Sequence, residues 1–359
     1  MHHSTAAADR HADRLAARLA ARRTAAGALA ALSDQRLRAL LAAAPVPDSG
    51  IGGRTAVVEV AGTPVFVKRI PLTERELRPE HAHSTANLFR LPPWYQYGIG
   101  SAGFGAWREL AVHTLTTQWV LGGAHPGFPL TYHWRVLPDS PPDGFVDEFG
   151  GVDGAVAHWD GSPAVRDRLE AIGASRTSLV LFLEHLPHTL ADWLAARRDA
   201  AAPGGSPHPW VADALVRGAS FLRSRGLVHF DAHFRNVLTD GELLYFADFG
   251  LALSSSFELA ADETAFLTDH LGYDHYDTLS HLLRYHVLAE PPLGWDYPAF
   301  LRAWPTERLR AGLAPADAAL VDRFAPAALL MYDFQRDLLT VSKRTPFPAA
   351  RLRERAPLP

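Results

Sequence analysis

The sequence of 359 residues contains no cysteine. This absence excludes disulfide bonds, thiolate zinc or iron–sulfur sites and a thiol nucleophile. Lysine occurs only at Lys68 and Lys343, and asparagine only at Asn87 and Asn236. Both amino acids have A-rich codons, so their scarcity beside abundant alanine and arginine is typical of a GC-rich genome. The few that remain therefore merit a search for specific roles.

Long apolar runs and a surplus of charge are also lacking. No run reaches the roughly 18 residues that a membrane-spanning helix needs. The Ala/Arg-rich N-terminal segment is interrupted by Asp9 and Asp13, and no apolar segment follows as in a signal peptide. The formal net charge of −4 lacks the basic surplus of a nucleic-acid binder. We therefore expect a soluble cytoplasmic protein that binds neither nucleic acid nor membranes.

The hydrophobic and charged fractions, 48% and 21%, are those of an ordinary globular chain. The length predicts two domains or lobes. Residues 1–45 are predicted to form a helical extension with a break at Gly27 and a second helix capped by Ser33. This extension either packs on the body or serves as an arm for a partner. Residues 346–359, rich in proline and arginine, predict a flexible tail.

Residues 46–186 are predicted to form a strand-rich lobe. The β-branched runs Val57–Val60 and Val65–Ile70, joined by a turn at residues 62–64, predict an antiparallel hairpin. Further expected elements are a helix at 106–120, strands at 131–137 and 178–183, and insertions at 81–105 and 138–177, the second with a short helix near 164–171. The aromatic-rich first insertion either covers an acceptor or packs as a cap.

Residues 187–345 are predicted to be mainly helical. One helix is expected to begin near Pro209 and to end at Gly226, because proline is tolerated in a first turn and glycine suits the position after a helix. The expected fold class is α+β, with a small antiparallel β-sheet in the first lobe and a helical second lobe.

The segment 226–253 carries the chemistry. Its runs 237–239 and 242–247 flank Asp240-Gly241, which predicts a hairpin with a type I′ turn. Such a hairpin brings Asp231, Asn236 and Asp248 together. Carboxylate and amide oxygens suit Mg²⁺, whereas the set His229, Asp231 and His233 would suit zinc. A solvated acidic turn without a ligand is the remaining interpretation.

This segment resembles the protein-kinase superfamily. H-x-D-x-x-x-x-N is present as His229, Asp231 and Asn236, and D-F-G as residues 248–250. The resemblance implies a two-lobed protein-kinase-like fold over about residues 46–345. It implies Asp231 as the catalytic base that accepts the proton of a hydroxyl acceptor, and Asn236 and Asp248 as Mg²⁺ ligands. His229 is expected to hold the loop by hydrogen bonding.

Upstream residues extend the resemblance. Lys68, in Val-Phe-Val-Lys, resembles the lysine of the V-A-I-K strand, which contacts the α- and β-phosphates of ATP. A lysine retained in an arginine-rich chain fits a position that requires a compact ammonium group. The predicted ion-pair partner is Glu109, in the helix after that strand, in preference to Glu74, Glu76 and Glu80.

Two further segments are predicted to bind the nucleotide. A glycine-rich match to G-x-G-x-x-G-x-V, with Thr55 in place of the third glycine, is formed by Gly50, Gly52, Gly53 and Val57. Glycine lets backbone N–H groups approach phosphate oxygens closely; a plain flexible turn is the alternative. Residues Glu184 to Leu186 resemble the hinge whose backbone groups bind adenine.

Three departures bear on the acceptor. Phe230 replaces the arginine of H-R-D, Ala-Pro-Glu is missing after residues 248–250, and His233 resembles the D-x-H of aminoglycoside and other small-molecule kinases. The intact D-F-G favours protein kinases instead. The predicted function is an ATP- and Mg²⁺-dependent kinase that phosphorylates a hydroxyl group, with protein Ser/Thr as the first expectation. The alternatives are a small-molecule hydroxyl kinase, for an aminoglycoside-like or sugar acceptor, and a pseudokinase scaffold that binds nucleotide without turnover.

Overall fold

The computed structural model describes residues 2–44, 48–50, 53–199, 205–289, 296–304 and 312–358. The chain divides into two compact units, one formed by residues 1–90 and 100–185 and the other by residues 91–99 and 186–359. The division after residue 185 lies one residue from the boundary expected after residue 186. Within the described residues, no helix combines the length and the apolar character needed to cross a membrane.

The first unit is built on a five-stranded sheet. Its strands are β1 (Asp48–Gly50), β2 (Gly53–Val60), β3 (Thr63–Pro71), β4 (Thr131–Pro138) and β5 (Thr177–Glu184). Their order is β1-β2-β3-β5-β4, and every neighbouring pair is antiparallel. The predicted β2–β3 hairpin is confirmed, but its turn was placed wrongly. Ala61 and Gly62 both have positive φ, which gives the tight turn that matches strand twist, so residues 63 and 64 extend β3.

Five helices accompany this sheet: α1 (His2–Ala30), α2 (Asp34–Ala42), α3 (Ala106–Leu121), α4 (Val152–His158) and α5 (Pro163–Gly173). Helix α3, whose predicted span is confirmed, packs its Ala106, Trp107 and Leu110 against the alternate residues Leu179, Leu181 and Leu183 of β5. This packing fixes the helix beside β3, which carries Lys68.

The N-terminal helices belong to the body of the first unit. Helix α1 contacts β2, β3 and β4. The predicted break at Gly27 is wrong: the helix continues to Ala30, because an exposed glycine inside a helix costs only about 1 kcal/mol and the flanking Ala25 and Leu29 are fully buried. The predicted cap of α2 is confirmed, since Ser33 Oγ accepts a hydrogen bond from the backbone N–H of Arg36 at 3.3 Å.

The second unit is mainly helical. Among the described residues, its helices are α6 (Leu190–Asp199), α7 (His208–Ser224), α8 (Ala261–His270), α9 (Tyr273–Leu282), α10 (Tyr297–Ala303), α11 (Pro315–Thr340) and α12 (Ala349–Arg355), with a π-helical turn at Leu283–Val287. As predicted, Pro209 lies in the first turn of α7 and Gly226 follows its end with φ +65°. The predicted flexible tail is wrong over α12, where Leu352 is fully buried and Ala356 O accepts a hydrogen bond from the Tyr276 hydroxyl.

Short strands frame the loop region of this unit. They are β6 (His188–Thr189), β7 (Leu227–Val228), β8 (Val237–Thr239), β9 (Leu244–Phe246) and β10 (Leu253–Ser254). Strand β8 pairs with β9 and with β6, and β7 pairs with β10, all antiparallel. The predicted two-residue turn between β8 and β9 is wrong. Four residues join these strands, because the Asp240 carboxylate accepts the backbone N–H groups of Glu242 and Leu243. The fold is therefore α+β, with a small antiparallel sheet and many helices.

Candidate functional site

In the first unit, Lys68 and Glu109 form a buried ion pair. The Lys68 Nζ lies 2.8 Å from Glu109 Oε1, and the two side chains are 4% and 3% exposed. Strand β3 supplies the lysine and helix α3 the glutamate. The predicted pair is therefore confirmed. Because burying two charges is costly, such a pair is weak evidence of a stabilising role.

Glu76, one of the rejected partners, has another role. Its Oε1 accepts the N–H of Ala106 at the start of α3, and its Oε2 accepts from Arg168 at 2.9 Å and from the Thr73 hydroxyl. A carboxylate at a helix N-terminus satisfies an otherwise unpaired N–H group and interacts favourably with the helix dipole. Glu76 therefore fixes the beginning of the helix that presents Glu109.

The glycine-rich segment is described only in part. Gly50 ends β1 and Gly53 begins β2, whereas Gly52 lies outside the described residues. Gly53 has φ +121°, and a β-carbon there would overlap the carbonyl oxygen of Arg69. Glycine is thus required at this position by the close approach of β3. Val57 lies on β2 with 42% of its surface exposed.

Glu184, predicted to contribute backbone groups to adenine binding, is engaged within the first unit. Its carboxylate accepts from Arg18 Nε at 2.7 Å and from Arg18 Nη2 at 2.8 Å, and also from the N–H of Leu130. Its own backbone N–H donates to Leu130 O at 2.8 Å. That N–H group is therefore committed to the protein. Leu186, in the second unit, lies just before β6.

In the second unit, the loop after β7 is held from both sides. The buried Asp274 on α9 accepts the backbone N–H groups of His229 at 2.7 Å and of Phe230 at 3.0 Å. Burial nevertheless raises the pKa of Asp274 to about 6. Phe230 has φ +64°, a conformation that costs of order 1–3 kcal/mol for a non-glycine residue. The two hydrogen bonds to Asp274 compensate for this strain.

His229 connects the loop to the next strand, as predicted. Its ring Nε2 lies 2.8 Å from Ala247 O, and its Nδ1 accepts the N–H of Asp231 at 3.3 Å. Burial lowers the pKa of His229 to about 4. The ring is therefore neutral at physiological pH, with its proton on Nε2.

Asp231 and Asn236 are joined directly. The Asn236 Nδ2 donates to Asp231 O and to Asp231 Oδ2, both at 3.0 Å. These two bonds fix the rotation of the amide, so that its Oδ1 points to the opposite side. Asp231 Oδ1 lies 3.7 Å from His233 Nε2, and the two side chains are 22% and 40% exposed. Asp231 therefore keeps a partly exposed and firmly oriented carboxylate.

Asp248 follows β9 in a strained conformation with φ +62°. Its Oδ1 accepts the N–H of Gly250 at 3.4 Å, and the intervening Phe249 is fully buried with its ring 5.0 Å from that of His229. The Ala247 N–H donates to Asn236 O at 2.9 Å, which ties the segment before Asp248 to Asn236.

Two side chains near this loop carry oxygen donors of the kind that would suit Mg²⁺. Asn236 and Asp248 offer hard oxygen atoms on half-buried side chains, and Mg²⁺ prefers one or two protein oxygens together with phosphate and water. Among the described residues, no group of three or more His, Cys, Asp or Glu side chains is placed to hold a metal ion. The zinc alternative lacks support from His229, because both of its ring nitrogens are engaged by backbone groups.

Three residues of this geometry are missed by the sequence patterns. Asp274 and Arg18 act through contacts with residues distant along the chain. Gly98, in the aromatic insertion, lies against Asp231: a β-carbon added to Gly98 would overlap Asp231 Oδ1. The one sequence feature that could have indicated this close approach was a glycine in an aromatic-rich segment, Gly98 itself.

No known protein-family model matches this sequence, and no curated protein is significantly similar to it.

Proposed function

We propose that this chain is an ATP- and Mg²⁺-dependent phosphotransferase that phosphorylates a hydroxyl group. The observation that carries the proposal is the oriented carboxylate of Asp231, fixed by the amide of Asn236 on a loop that Asp274 and His229 hold. A carboxylate held in this way orients a hydroxyl group and accepts its proton. The order of residues 229–236 and 248–250 supports the same chemistry by its resemblance to protein kinases.

In the proposed reaction, the acceptor oxygen forms a bond to the γ-phosphorus of ATP while the bond from that phosphorus to the β–γ bridging oxygen breaks. ADP leaves, and the hydroxyl proton passes to Asp231. Asn236 and Asp248 would hold Mg²⁺, which neutralises phosphate charge when bound. Lys68, fixed by Glu109, is assigned to the α- and β-phosphates.

We propose that the two units are the lobes of a protein-kinase-like fold, since the first is strand-rich and carries the Lys68–Glu109 pair and the second is helical and carries Asp231, Asn236 and Asp248. The absence of cysteine and the composition support a cytoplasmic location.

The proposal is tested with purified protein and Mg-ATP. We expect a nucleotide-dependent rise in melting temperature and release or transfer of the γ-phosphate. Asp231→Ala should lower transfer by at least about 100-fold, the usual contribution of a general base, while it keeps the thermal shift. The exposed Asp213→Asn on α7 is the matched control and should behave as wild type. A thermal shift without phosphate loss would favour the pseudokinase scaffold. If the protein shows neither a thermal shift nor phosphate loss, the proposed nucleotide chemistry is refuted.

A further inference from the structure

The segment Leu91–Ile99 belongs to a different structural unit from the residues on either side of it. Residues before and after it belong to the first unit, yet this segment packs within the second. After Leu91 it continues with Pro92 and Pro93, forms a 3₁₀ turn at Pro93–Gln96, and reaches Gly98 against Asp231. We call residues 91–99 the strap.

The strap is firmly anchored. Tyr95 is fully buried and Tyr97 is 2% exposed. The Tyr97 hydroxyl lies 2.7 Å from His270 Nε2, and His270 Nδ1 lies 2.7 Å from Phe266 O, so the hydroxyl donates to a neutral ring. Burial lowers the pKa of His270 to about 4, which keeps this arrangement at physiological pH.

An aromatic cluster surrounds the anchor. The Tyr97 ring has its centroid within about 6 Å of five other rings, as expected for favourable aromatic pairs; these belong to Phe230, Phe266, His270, Tyr273 and Phe334. Phe230 is a neighbour of Asp231 in the chain, so the cluster links the strap to the loop. The replacement of arginine by Phe230 thereby acquires a packing reason. A strap fixed in this way does not behave as a loose flap.

Gly98 lies directly against one side of the Asp231 carboxylate, the candidate base. A β-carbon at this position would overlap Asp231 Oδ1 and lie 3.3 Å from Phe230 O. The gap between the strap backbone and the carboxylate is therefore smaller than one methyl group. Asp231 Oδ2 accepts a hydrogen bond from the Asn236 amide, and Oδ1 is the oxygen that faces the strap.

We propose that the strap forms a wall of the acceptor site and restricts the acceptor to a small hydroxyl compound. A serine or threonine in a protein brings main chain on both sides of its hydroxyl group. The strap already places main chain directly beside the Asp231 carboxylate, so a second chain cannot run there. A compact alcohol can approach Asp231 through the 22% of its side chain that remains exposed. This inference rests on the proposed phosphotransferase function and names its substrate class.

The test traces γ-labelled phosphate from Mg-ATP with the purified full chain. One reaction receives a casein and histone mixture, and another receives the low-molecular-weight filtrate of a cell extract. Label in a small organic compound only is the expected result. Label in protein would overturn the inference but leave the proposed phosphotransferase. Label released only as inorganic phosphate would overturn the inference and reduce the activity to ATP hydrolysis. Absence of any γ-phosphate loss would instead refute the proposed function.

A variant tests the wall itself. Gly98→Ala should raise the KM for the small acceptor about tenfold or more and lower kcat, because the added methyl group overlaps the Asp231 carboxylate beside the strap. The KM for ATP should change less than about twofold, since the change lies in the acceptor subsite. Gly27→Ala on α1 is the matched control, since a β-carbon there meets no atom within 4 Å. An unchanged acceptor KM in a Gly98→Ala protein with wild-type melting behaviour would show that the strap does not shape the site.

Discussion

Asp274 is the residue on which the conformation of the Asp231 loop depends. Each of its carboxylate oxygens accepts one backbone N–H, from His229 at Oδ2 and from Phe230 at Oδ1. An asparagine has one oxygen and one NH₂ group, so it can satisfy only one of the two. The side chain is therefore not replaceable by its nearest isostere.

We expect Asp274→Asn to destabilise the protein by about 1–3 kcal/mol, the cost of one buried unsatisfied N–H group. Turnover should fall as well, because Phe230 would lose the bond that compensates for its positive φ. Urea unfolding of the variant and a transfer assay measure both effects. Asp269→Asn, at an exposed position on α8, is the control. Equal stability of Asp274→Asn and wild type would contradict the assigned role.

Residue patterns were informative where the chemistry is local. His229, Asp231 and Asn236 lie within eight consecutive positions, and their mutual hydrogen bonds depend on that short spacing. The Lys68–Glu109 pair was also predictable. The strand that carries Lys68 resembles the V-A-I-K strand, and the prediction then required only a glutamate on the helix that follows. Asp274 and Gly98 were not, since nothing in their local sequence specifies which distant backbone they approach.

At the scale of elements, helix α1 is joined to the sheet by Arg18. Its guanidinium donates to both oxygens of Glu184 and to the carbonyl oxygens of Pro126 and Phe128. Arg18 and Glu184 are each only 8% exposed. Planar, multiple hydrogen bonding of this kind suits arginine and not lysine. The helix that composition suggested as a mere extension thus completes the end of β5.

We expect Arg18→Leu to destabilise the protein by about 3–5 kcal/mol, because it leaves Glu184 as a buried carboxylate without its charge partner. Chemical unfolding monitored by circular dichroism measures the loss. Arg23→Leu on the same helix is the control, since Arg23 is exposed. The proposed role fails if the two variants unfold at the same denaturant concentration.

Elements were predicted well where hydrophobic periodicity was strong, as for β4, β5 and α3. The errors in α1 and in the C-terminal segment share one physical cause, which is that contacts outside the local window decided the outcome. Buried Ala25 and Leu29 carry α1 through Gly27, and buried Leu352 orders α12 within a segment rich in proline and arginine.

At the scale of the whole molecule, protonation couples to folding through several buried groups. Burial lowers the pKa of five histidines to about 4, or to about 3 for His281; the others are His229, His270, His275 and His286. Burial also raises the pKa of Asp274 to about 6 and of Asp277 to about 7. The two sets act in opposite directions as the pH falls.

Below pH 6.5 the unfolded chain protonates its histidines while the folded protein does not, so the free energy of unfolding falls as the pH falls towards about 4. Over the same range the two aspartates take up protons in the folded state first, which opposes this loss. Five groups against two give a net loss of stability, so we expect a lower urea midpoint at about pH 5 than at about pH 7.5.

His275→Asn, which removes one buried titrating group, should reduce the difference between the two midpoints, whereas the exposed His188→Asn should preserve it. A midpoint that is equal or higher at the lower pH would mean that the aspartates dominate and that the histidines are not held neutral by burial.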